Sequence, residues 1–600
     1  MNTKRENGHR SLAKINQRRI AAAIPLLLLL PLAAWAGGVV TSCTEAALRA
    51  AMAGGGAVTF ACDGTITLAS TITNAASTVL DGTGHQVTIS GGSSVRVFYV
   101  ATSLTLIHLT IRDGRTSQGT HGMQDSPGHA TAGGPGDPGG GIYNADTLTL
   151  RDCVVTANQT GDGGLGYRGP DWIGPYTAGG PGGSGGGIYN SGTLTLSNCL
   201  VSGNSTGYGG SSGGFWAFPS PPVGGNGGLG AGIYNAGTLR LDNSTLNGNR
   251  AGNGAGEEEA RGATGGSGGG IWSSGDLTAN GCTFSGNSSG AGGPGGNSDD
   301  IADDGGAGGT GGAICGMGSL ALINCTLVAN STGPGGAGGS AYLPGAPGYG
   351  TPGLGGQGGS GAGIYNQGNL DLLNCTIAAN HSGSGGAAGG HGGIFDGSPG
   401  PVGIGGGVVD AGGTARLLNT IVALNTGNSP DVWGAFSSLG HNLIGATDGS
   451  SGFPGAGDRV GSSGSPLDPK VGPLADNGGP TFTLALLPGS PALDSGTVIG
   501  APLTDQRGVP RPQAAGVDIG AFEYQYTIPV ISGPAFQGPD SCLRCFGLPS
   551  RTYTVQASTN LLNWSDLNSV ISGTNGLFDY VDAAQINCAQ RFYRLKYTAP

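Results

Sequence analysis

The stretch GGGIYNSGTLTLSNCLVSGN (185–204) decides the fold, because near-copies of it recur along the chain. Self-similarity of this kind is typical of solenoids, in which each copy forms one structural unit. The other copies are GGGIYNADTLTLRDCVVTAN (139–158), GAGIYNAGTLRLDNSTLNGN (230–249), GGGIWSSGDLTANGCTFSGN (268–287), GGAICGMGSLALINCTLVAN (311–330), GAGIYNQGNLDLLNCTIAAN (361–380) and the longer GGGVVDAGGTARLLNTIVALN (405–425).

The spacing inside a copy is nearly constant. Ile188 is followed after eleven residues by Cys199 and after five more by Asn204. Apolar residues alternate, as at Leu194 and Leu196, which is the period of a β-strand. Such short strands cannot bury a face alone, so the copies must stack, with each position forming a column and the Asn column linked by side-chain amides. The sequence predicts an all-β fold, a right-handed parallel β-helix solenoid with Gly-rich insertions.

The first 36 residues have the composition of a targeting segment. Basic residues precede an apolar run at 20–32, and small residues at 34–36 suit a cleavage site. We therefore expect a signal peptide at 1–36 and secretion of the mature chain. Removing this segment changes the formal charge from −11 to −16, because six basic residues and one acidic residue are lost. This charge argues against nucleic acid or anionic membrane as a partner, and no second apolar stretch is long enough to span a bilayer.

Changes of composition predict the domain boundaries. CTEAALRAAMAGGG (43–56) reads as a short amphipathic helix that covers the open end of the solenoid. The predicted domains are a signal peptide at 1–36, a right-handed parallel β-helix with an N-terminal cap at 37–435, C-terminal β-helix coils and a cap at 436–523, a linker at 524–546 and a small antiparallel β-sandwich at 547–600.

Two motifs in the repeats resemble a known family. Gly311-Gly312-Ala313-Ile314 and Phe284-Ser285-Gly286-Asn287 match the GGAI and FxxN motifs of the polymorphic outer membrane protein repeats. Together with FSSLGHNLIG…NGGPTFTLALLPGSPALDSG…TDQRGVPRPQAAGVDIGAFE (436–523), they make residues 40–523 similar to bacterial surface β-helix proteins of the choice-of-anchor Q type. The resemblance implies an exported right-handed β-helix at the cell surface, and some members of the first family are adhesins. Because this chain departs from their C-terminal pattern, their anchoring and export route are not carried over.

The C-terminal residues carry a different pattern. YTVQASTNLLNW (553–564), FDYVDA (578–583) and RFYRLKY (591–597) resemble the small β-sandwich module that ends many exported verrucomicrobial proteins. The alternation of Tyr553 and Val555 independently predicts a strand.

The Gly-rich insertions are built from triplets in a fixed phase to the following lead Ile. Examples are GGPGGSGGG (179–187) and GGQGGSGAG (355–363), and the three-residue period is that of an extended polyproline-II helix. Two interpretations stay open at this point. Each insertion leaves and returns as two arms that bond to neighbouring arms through their glycine backbones, or it is a flexible surface loop.

The tips between the triplets hold the candidate binding residues. If the arms stack, the tips share one edge and expose aromatic side chains, which sugar rings and protein patches both bind. The alternative is that these rings pack the tips together. The candidates are Trp172, Tyr176, Phe215, Trp216 and Phe218.

An acidic cluster is the one candidate cation site. Asp299, Asp300, Asp303 and Asp304 offer the oxygen ligands that Ca²⁺ prefers. Their spacing matches neither an EF-hand nor a nonapeptide calcium repeat, so a solvated acidic loop is the alternative. No other cofactor is indicated.

Catalytic patterns are weak, although many parallel β-helices are polysaccharide lyases or hydrolases. A polygalacturonase-like site needs four motifs on neighbouring coils, and here only Gly390-His391-Gly392 and Asp299-Asp300 are present, far apart in sequence. The repeats hold almost no lysine, and their arginines do not cluster with carboxylates, so a lyase base is not evident.

The cysteines and the densest group of charges are expected to be structural. Cys43 with Cys62 suits a disulfide, and the three cysteines of the C-terminal region allow one more. The cysteines at the column position are expected to stack inward as small apolar residues, and the charged group to form a buried salt-bridge network that closes the C-terminal end. The column holds Cys153, Cys199, Cys282, Cys325 and Cys375, the C-terminal cysteines are Cys542, Cys545 and Cys588, and the charged group is Asp505, Arg507, Arg511, Asp518 and Glu523.

The sequence therefore predicts an exported, adhesin-like or matrix-like β-helix that binds extracellular polysaccharide or a surface protein as a monomer. One alternative is a polysaccharide lyase or glycoside hydrolase on the same scaffold, which convergent acids in one groove would favour. Another is a structural surface fibre without a ligand, which disordered tips would favour.

Overall fold

The structure is a computed structural model of the chain, and the predicted signal peptide at 1–36 lies outside the residues that it describes. The described residues are 37–126, 129–169, 177–213, 223–256, 260–298, 301–341, 350–390, 397–513, 515–525, 530–537, 540–547, 551–573, 577–582 and 590–597.

Each complete coil of the solenoid contributes one short strand to each of three faces. In the coil that follows Gly185, strands Ile188–Asn190, Thr193–Ser197 and Leu200–Ser202 belong to faces 1, 2 and 3. Ile188 pairs in parallel with the lead Ile of the coils before and after it, so equal positions lie in register. Among the described residues, faces 1 and 2 belong to one parallel sheet of 22 strands, and face 3 is a parallel sheet of 12 strands. This confirms the predicted all-β parallel β-helix.

The strand bounds follow the repeat on every face. Face 1 comprises Ile72–Asn74, Phe98–Val100, Ile142–Asn144, Ile188–Asn190, Ile233–Asn235, Ile271–Ser273, Ile314–Gly316, Ile364–Asn366, Val408–Asp410 and the start of Val432–Ser438. Face 2 comprises Val39–Val40, Gly56–Phe60, Thr78–Asp81, Leu104–Ile107, Thr147–Arg151, Thr193–Ser197, Thr238–Asp242, Asp276–Asn280, Ser319–Ile323, Asn369–Leu373, Thr414–Leu418 and the end of Val432–Ser438. Face 3 comprises Gly64–Thr67, Val87–Ser90, Leu109–Arg112, Val154–Thr156, Leu200–Ser202, Thr245–Asn247, Thr283–Ser285, Thr326–Val328, Thr376–Ala378, Ile421–Ala423, Leu443–Ile444 and Arg459–Val460.

Alternation decides which side chains enter the core. Leu194 and Leu196 are buried on face 2, whereas Thr195 between them is only partly buried. The chain turns from face 2 to face 3 at a residue with positive φ, such as Asn198 with φ of 53°. Asn and Asp tolerate this left-handed conformation better than other non-glycine residues do. This accounts for the Asn or Asp that precedes most members of the cysteine column.

Asparagine side chains form ladders along the bends. Nδ2 of Asn204 donates to Oδ1 of Asn249 at 2.9 Å, and the backbone N–H of Asn204 donates to the same oxygen at 3.1 Å. These bonds confirm the predicted column. A second ladder, which the sequence did not lead us to expect, ends the face 1 strands, where Nδ2 of Asn144 donates to Oδ1 of Asn190 at 2.7 Å.

The N-terminal helix forms as predicted. It spans Glu45–Met52, and the side chain of Thr44 caps it by accepting from the backbone N–H of Ala47. Leu48 and Met52 are buried and join the core of the first coils.

The cysteine predictions are confirmed where the structure describes the residues. Cys43 and Cys62 form a disulfide with Cα atoms 5.7 Å apart. Cys588 lies outside the described residues, so a bridge in the C-terminal region stays a prediction. The cysteines of the column are buried and free, namely Cys153, Cys199, Cys282, Cys325 and Cys375.

Residues 467–524, which we call the return segment, differ from the predicted cap. They run back along the outside of face 3, and Nε2 of Gln506 donates to Oγ1 of Thr283 at 2.9 Å across 223 residues of sequence. Strands Val471–Ala475 and Thr483–Leu486 form an antiparallel pair within it. The reason for this course is apolar burial, because Leu484 packs against outward-facing side chains of face 3. Those face 3 side chains are Val328 and Ala378.

The predicted salt-bridge network is buried, but it lies against face 3 rather than at the end of the solenoid. Nη1 of Arg511 donates to Oε2 of Glu523 at 2.8 Å, and both side chains are 1% exposed. Nη2 of Arg507 lies 2.7 Å from Oδ2 of Asp505. The backbone N–H of Ala521 donates to Oγ1 of Thr376 at 2.9 Å, which fixes the network to the solenoid.

The predicted linker contains two strands. Val530–Gln537 and Asp540–Phe546 pair antiparallel, and the second of them also pairs with Leu577–Asp582. The prediction read the prolines here as a linker signal, yet Pro534 lies on the outer strand beside a register shift, where a missing N–H is tolerated. A second sheet completes the module, and the ring of Tyr553 in it stacks on Phe578 of the first sheet at 5.4 Å.

The remaining strands are minor. The second sheet of the C-terminal module holds Thr552–Ser558, Ser565–Ile571 and Phe592–Tyr597, and outside it are Gln124–Ser126, His129–Ala130 and Ser450–Ser451.

Candidate binding surfaces

The Gly-rich insertions form ordered arms. The backbone N–H of Gly164, in an outgoing arm, donates to the carbonyl of Gly134 at 2.8 Å. Gly180, in the returning arm of the same insertion, donates to Gly164 at 2.8 Å, and Gly210 of the next insertion donates to Gly180 at 2.8 Å. Of the two interpretations left open by the sequence, these bonds support the ordered arms.

A second set of bonds joins arms of the same direction in successive coils. Gly119 donates to the carbonyl of Asp162 at 2.8 Å, and Gly163 donates to that of Tyr208 at 2.8 Å. In a Gly-Gly-X triplet, the first glycine therefore bonds to an X residue of the next coil, and the second bonds across to an arm of opposite direction. The outgoing and returning arms form two layers, which we call the glycine slab. It consists of the described residues in 115–138, 159–184, 205–229, 250–267, 288–310, 331–360 and 381–404.

The arms need glycine for its missing Cβ and not for positive φ. A Cβ at Gly163 would lie 1.8 Å from the carbonyl oxygen of Gly180, and one at Gly164 would lie 1.9 Å from that of Thr120. Such distances are far below any van der Waals contact. The X positions instead point to the outer surfaces of the slab, as at Leu165 and Tyr208, which are 47% and 49% exposed.

The predicted aromatic candidates lie in the tips, outside the described residues. The arm residues next to the tips are described, and the backbone N–H of Thr177 donates to the carbonyl of Tyr167 at 3.3 Å. Gly213 of the next outgoing arm donates to Thr177 at 2.9 Å. The arms of neighbouring coils therefore end together along one edge of the slab. The residues that join these arm ends include Trp172, Tyr176, Phe215, Trp216 and Phe218.

The predicted calcium site at the acidic cluster stays a prediction. Asp299 and Asp300 lie outside the described residues. Oδ2 of Asp304 lies 3.9 Å from Nη2 of Arg261, and burial together with the charge of Asp304 raises the pKa of Asp303. In the part of the chain that the structure describes, no three His, Cys, Asp or Glu residues are placed to hold a metal.

A row of aromatic rings on face 1 was not among the predicted sites. Neighbouring rings stack with centroids 4.6 to 5.0 Å apart and planes within 18° of each other. Burial raises the pKa of Tyr189 in this row to about 12. The signal is in the repeat itself, because Tyr or Trp follows the lead Ile in most copies and a parallel β-helix aligns equal positions. The stacked rings are those of Tyr99, Tyr143, Tyr189, Tyr234 and Trp272.

The aromatic row is interrupted further along face 1. Cys315 follows Trp272 in the row, and Val409 stands between Tyr365 and Trp433. A cavity of about 380 Å³ lies where Val409 interrupts the row, between face 1 and the returning arms of the glycine slab. Aromatic residues of face 1 and residues of the glycine slab therefore line one concave site.

Two comparisons with known proteins give no match. A scan against protein-family models finds none that fits the chain, and a search of curated proteins finds no relative. Over the described ranges, no helix has the length and hydropathy of a membrane span. The fold and these surfaces define the class of the molecule as a parallel β-helix that carries a glycine slab.

Proposed function

We propose that the protein is an exported surface β-helix, adhesin-like or matrix-like, that binds extracellular carbohydrate or a surface protein through the edge of its glycine slab. The observation that carries this proposal is the hydrogen bonding between arms, which runs from Gly134 to Gly400. It holds the arm ends of successive coils in register. Residues that a rigid scaffold presents lose little conformational entropy on binding, and the five aromatic candidates belong to two successive insertions whose arm ends are bonded to each other.

Export and surface location are part of the proposal and rest on the segment 1–36 and on the resemblance of the repeats. The aromatic residues that join the arm ends supply the binding groups, because flat rings stack on sugar faces and also anchor protein partners. The acidic chain disfavours polyanionic partners such as nucleic acid.

The test is a binding and depolymerisation assay on residues 37–600. The protein is immobilised and exposed to a panel of plant and algal polysaccharides, with and without Ca²⁺, and the polymer size is measured afterwards. We expect at least one polymer to bind with its size unchanged, and binding to weaken about tenfold or more when the five tip aromatics are replaced by Ala.

A matched control replaces two exposed slab residues instead, in the double variant Leu165→Ala and Tyr208→Ala, and should bind like the parent. Shortened polymers would support the lyase or hydrolase alternative. Undiminished binding by the tip variant would contradict the role of the tips, and absence of binding across the panel would support the structural fibre.

A further inference from the structure

We propose that the cavity between face 1 and the glycine slab binds one sugar ring of a polysaccharide between Tyr365 and Trp433. The inference rests on the proposed binding of extracellular carbohydrate, and it gives that binding a second, defined site. Tyr365 and Trp433 are partly buried and both line the cavity, and Val409 between them is fully buried and forms its floor.

The argument begins with the spacing of the rings. In the uninterrupted row, one ring per coil fills each step, as between Tyr189 and Tyr234 at 4.6 Å. Val409 pairs with Tyr365 on one side and with Trp433 on the other, so the two aromatic residues stand two coils apart. Two coils span about 9.6 Å, which is about twice the stacking distance of aromatic rings. The step at Val409 therefore lacks one ring, and a ligand ring completes the stack.

The edges of the cavity are polar. Asp410, Ser360 and Gln357 line it. Oδ1 of Asp410 accepts from Nδ2 of Asn366 at 2.8 Å, so this carboxylate belongs to the asparagine ladder, and the polar side chains that the cavity offers to a ligand are those of Ser360 and Gln357. Oγ of Ser360 accepts from the backbone N–H of Ile404 at 3.1 Å, which leaves the hydroxyl proton to be donated.

This arrangement matches the surface of a pyranose. A sugar ring presents C–H groups on its faces and hydroxyl groups around its edge, so its faces meet the aromatic rings and its hydroxyls meet the acceptors and donors at the rim. A flat aromatic ligand would satisfy the rings but would give the buried hydroxyl of Ser360 no acceptor, which costs free energy in a buried site. A volume of about 380 Å³ suits a small part of a chain.

One substitution would fill the cavity and leave its other lining residues in place. Val409→Tyr places in this coil the residue that stands at the same position in the coils of Tyr143, Tyr189 and Tyr234. We expect the variant to fold and to complete the aromatic row. The ligand ring would then have no space.

The experiment uses saturation-transfer NMR on residues 37–600 with hexasaccharides of cellulose, chitin, xylan, mannan and polygalacturonate, and with p-cresol as an aromatic probe. We expect one or more hexasaccharides to receive saturation at their ring C–H groups in the variant that lacks the five tip aromatics, and the effect to fall about tenfold when Val409→Tyr or Tyr365→Ala is added to it. Tyr143→Ala, in the uninterrupted row, is the control and should leave it unchanged.

Absence of saturation transfer to every hexasaccharide, transfer to p-cresol alone, or undiminished transfer in Val409→Tyr would each overturn the assignment. The tip variant separates the two proposals. If it binds polymers like the parent but Val409→Tyr does not, the tips are not the binding site and the cavity is. If only the tip variant loses binding, the cavity assignment fails and the proposed function stands.

Discussion

Nδ2 of Asn425 donates to Oδ1 of Asp431 at 2.9 Å, and the backbone N–H of Asn425 donates to the same oxygen at 3.0 Å. In the preceding coil, Oδ1 of Asn425 accepts the same pair of bonds from Nδ2 and the backbone N–H of Asn380. Asp431 therefore stands where the next asparagine of the ladder would stand. The ladder of neutral amides ends on a carboxyl group. Because this group is buried, its pKa is raised to about 6.

This end of the ladder makes stability depend on pH. The pKa of Asp431 is higher in the folded chain than the about 3.9 of an unfolded aspartate, so the folded state holds the proton more tightly. The stability that the folded chain gains from protonated Asp431 is fully present below about pH 4 and is lost as the pH rises to about 6. Asp431→Asn keeps the acceptor oxygen without the charge, so we expect a higher melting temperature than the parent at about pH 8 and no difference at about pH 4.

Thermal melting between these pH values checks the prediction, with Asp276→Asn, at an exposed position of face 2, as control. Asp518, whose pKa burial and the charge of Glu523 raise to about 7, is intact in both variants and contributes the same pH trend to each. An equal difference in melting temperature at both ends of the range would contradict the prediction.

The interior of the ladder is predicted to be sensitive to substitution. Nδ2 of Asn287 donates to Asn330 and to the carbonyl of Leu246, both at 2.9 Å, and its Oδ1 accepts from Asn249. Asn287→Ala removes all of these bonds and leaves buried groups without partners, so we expect unfolding in urea to be easier by about 3 kcal/mol. The exposed Asn280→Ala, on face 2 of the same coil, should change the free energy of unfolding by less than about 0.5 kcal/mol. Similar values for the two variants would show that the ladder does not stabilise the coil.

The buried cysteine column is predicted to be unreactive. Its members are buried, which keeps the reagent away, and burial also raises the pKa of Cys325, so few thiolates form at that position in the folded chain. We expect Ellman's reagent to leave the column unmodified until guanidinium unfolds the protein, with the modified peptides identified by mass spectrometry. Asn247→Cys, at an exposed position of face 3, is the control and should react at once. Prompt modification of Cys325 in the folded protein would place it outside the core.

The features that recur once per coil were predictable from the sequence. A residue that recurs at one position, as Asn204 does, must share its surroundings with its copies, so its column and its ladder follow from the spacing. The tyrosine of the aromatic row recurs in the same way, and the row could have been predicted from that recurrence. The cavity depends on Val409, a departure from the repeat whose effect appears only when the rings around it are placed.

The return segment was not predictable from periodicity. The bond between Gln506 and Thr283 joins positions 223 residues apart, and the return segment does not repeat. Its course is marked instead by a change along face 3, where the outward side chains pass from polar, as at Asn247, to apolar, as at Val328 and Ala378. That change has meaning only after the strands have been aligned.

The glycine slab gives a prediction about the effect of one added atom, the Cβ of an alanine. A Cβ at Gly210 would lie 2.1 Å from the carbonyl oxygen of Gly164, so Gly210→Ala forces two arms apart. We expect hydrogen exchange to be slow in the arms of the parent and fast, in the variant, at the amides bonded through this position, those of Gly210 and Gly225. Exchange in the strands of the solenoid should stay slow, because each coil keeps its own ladder bonds.

Tyr208→Ala, at an exposed X position of the same arm, is the matched control and should exchange like the parent. Rapid exchange of the parent's arms would instead mean that the insertions are flexible loops, and the edge of the slab would then have no fixed geometry to present. If Gly210→Ala also loses polysaccharide binding while the solenoid keeps its protection, then an ordered slab is required for binding. Glycine would in that case serve the function of the molecule, through backbones that approach closely enough to bond.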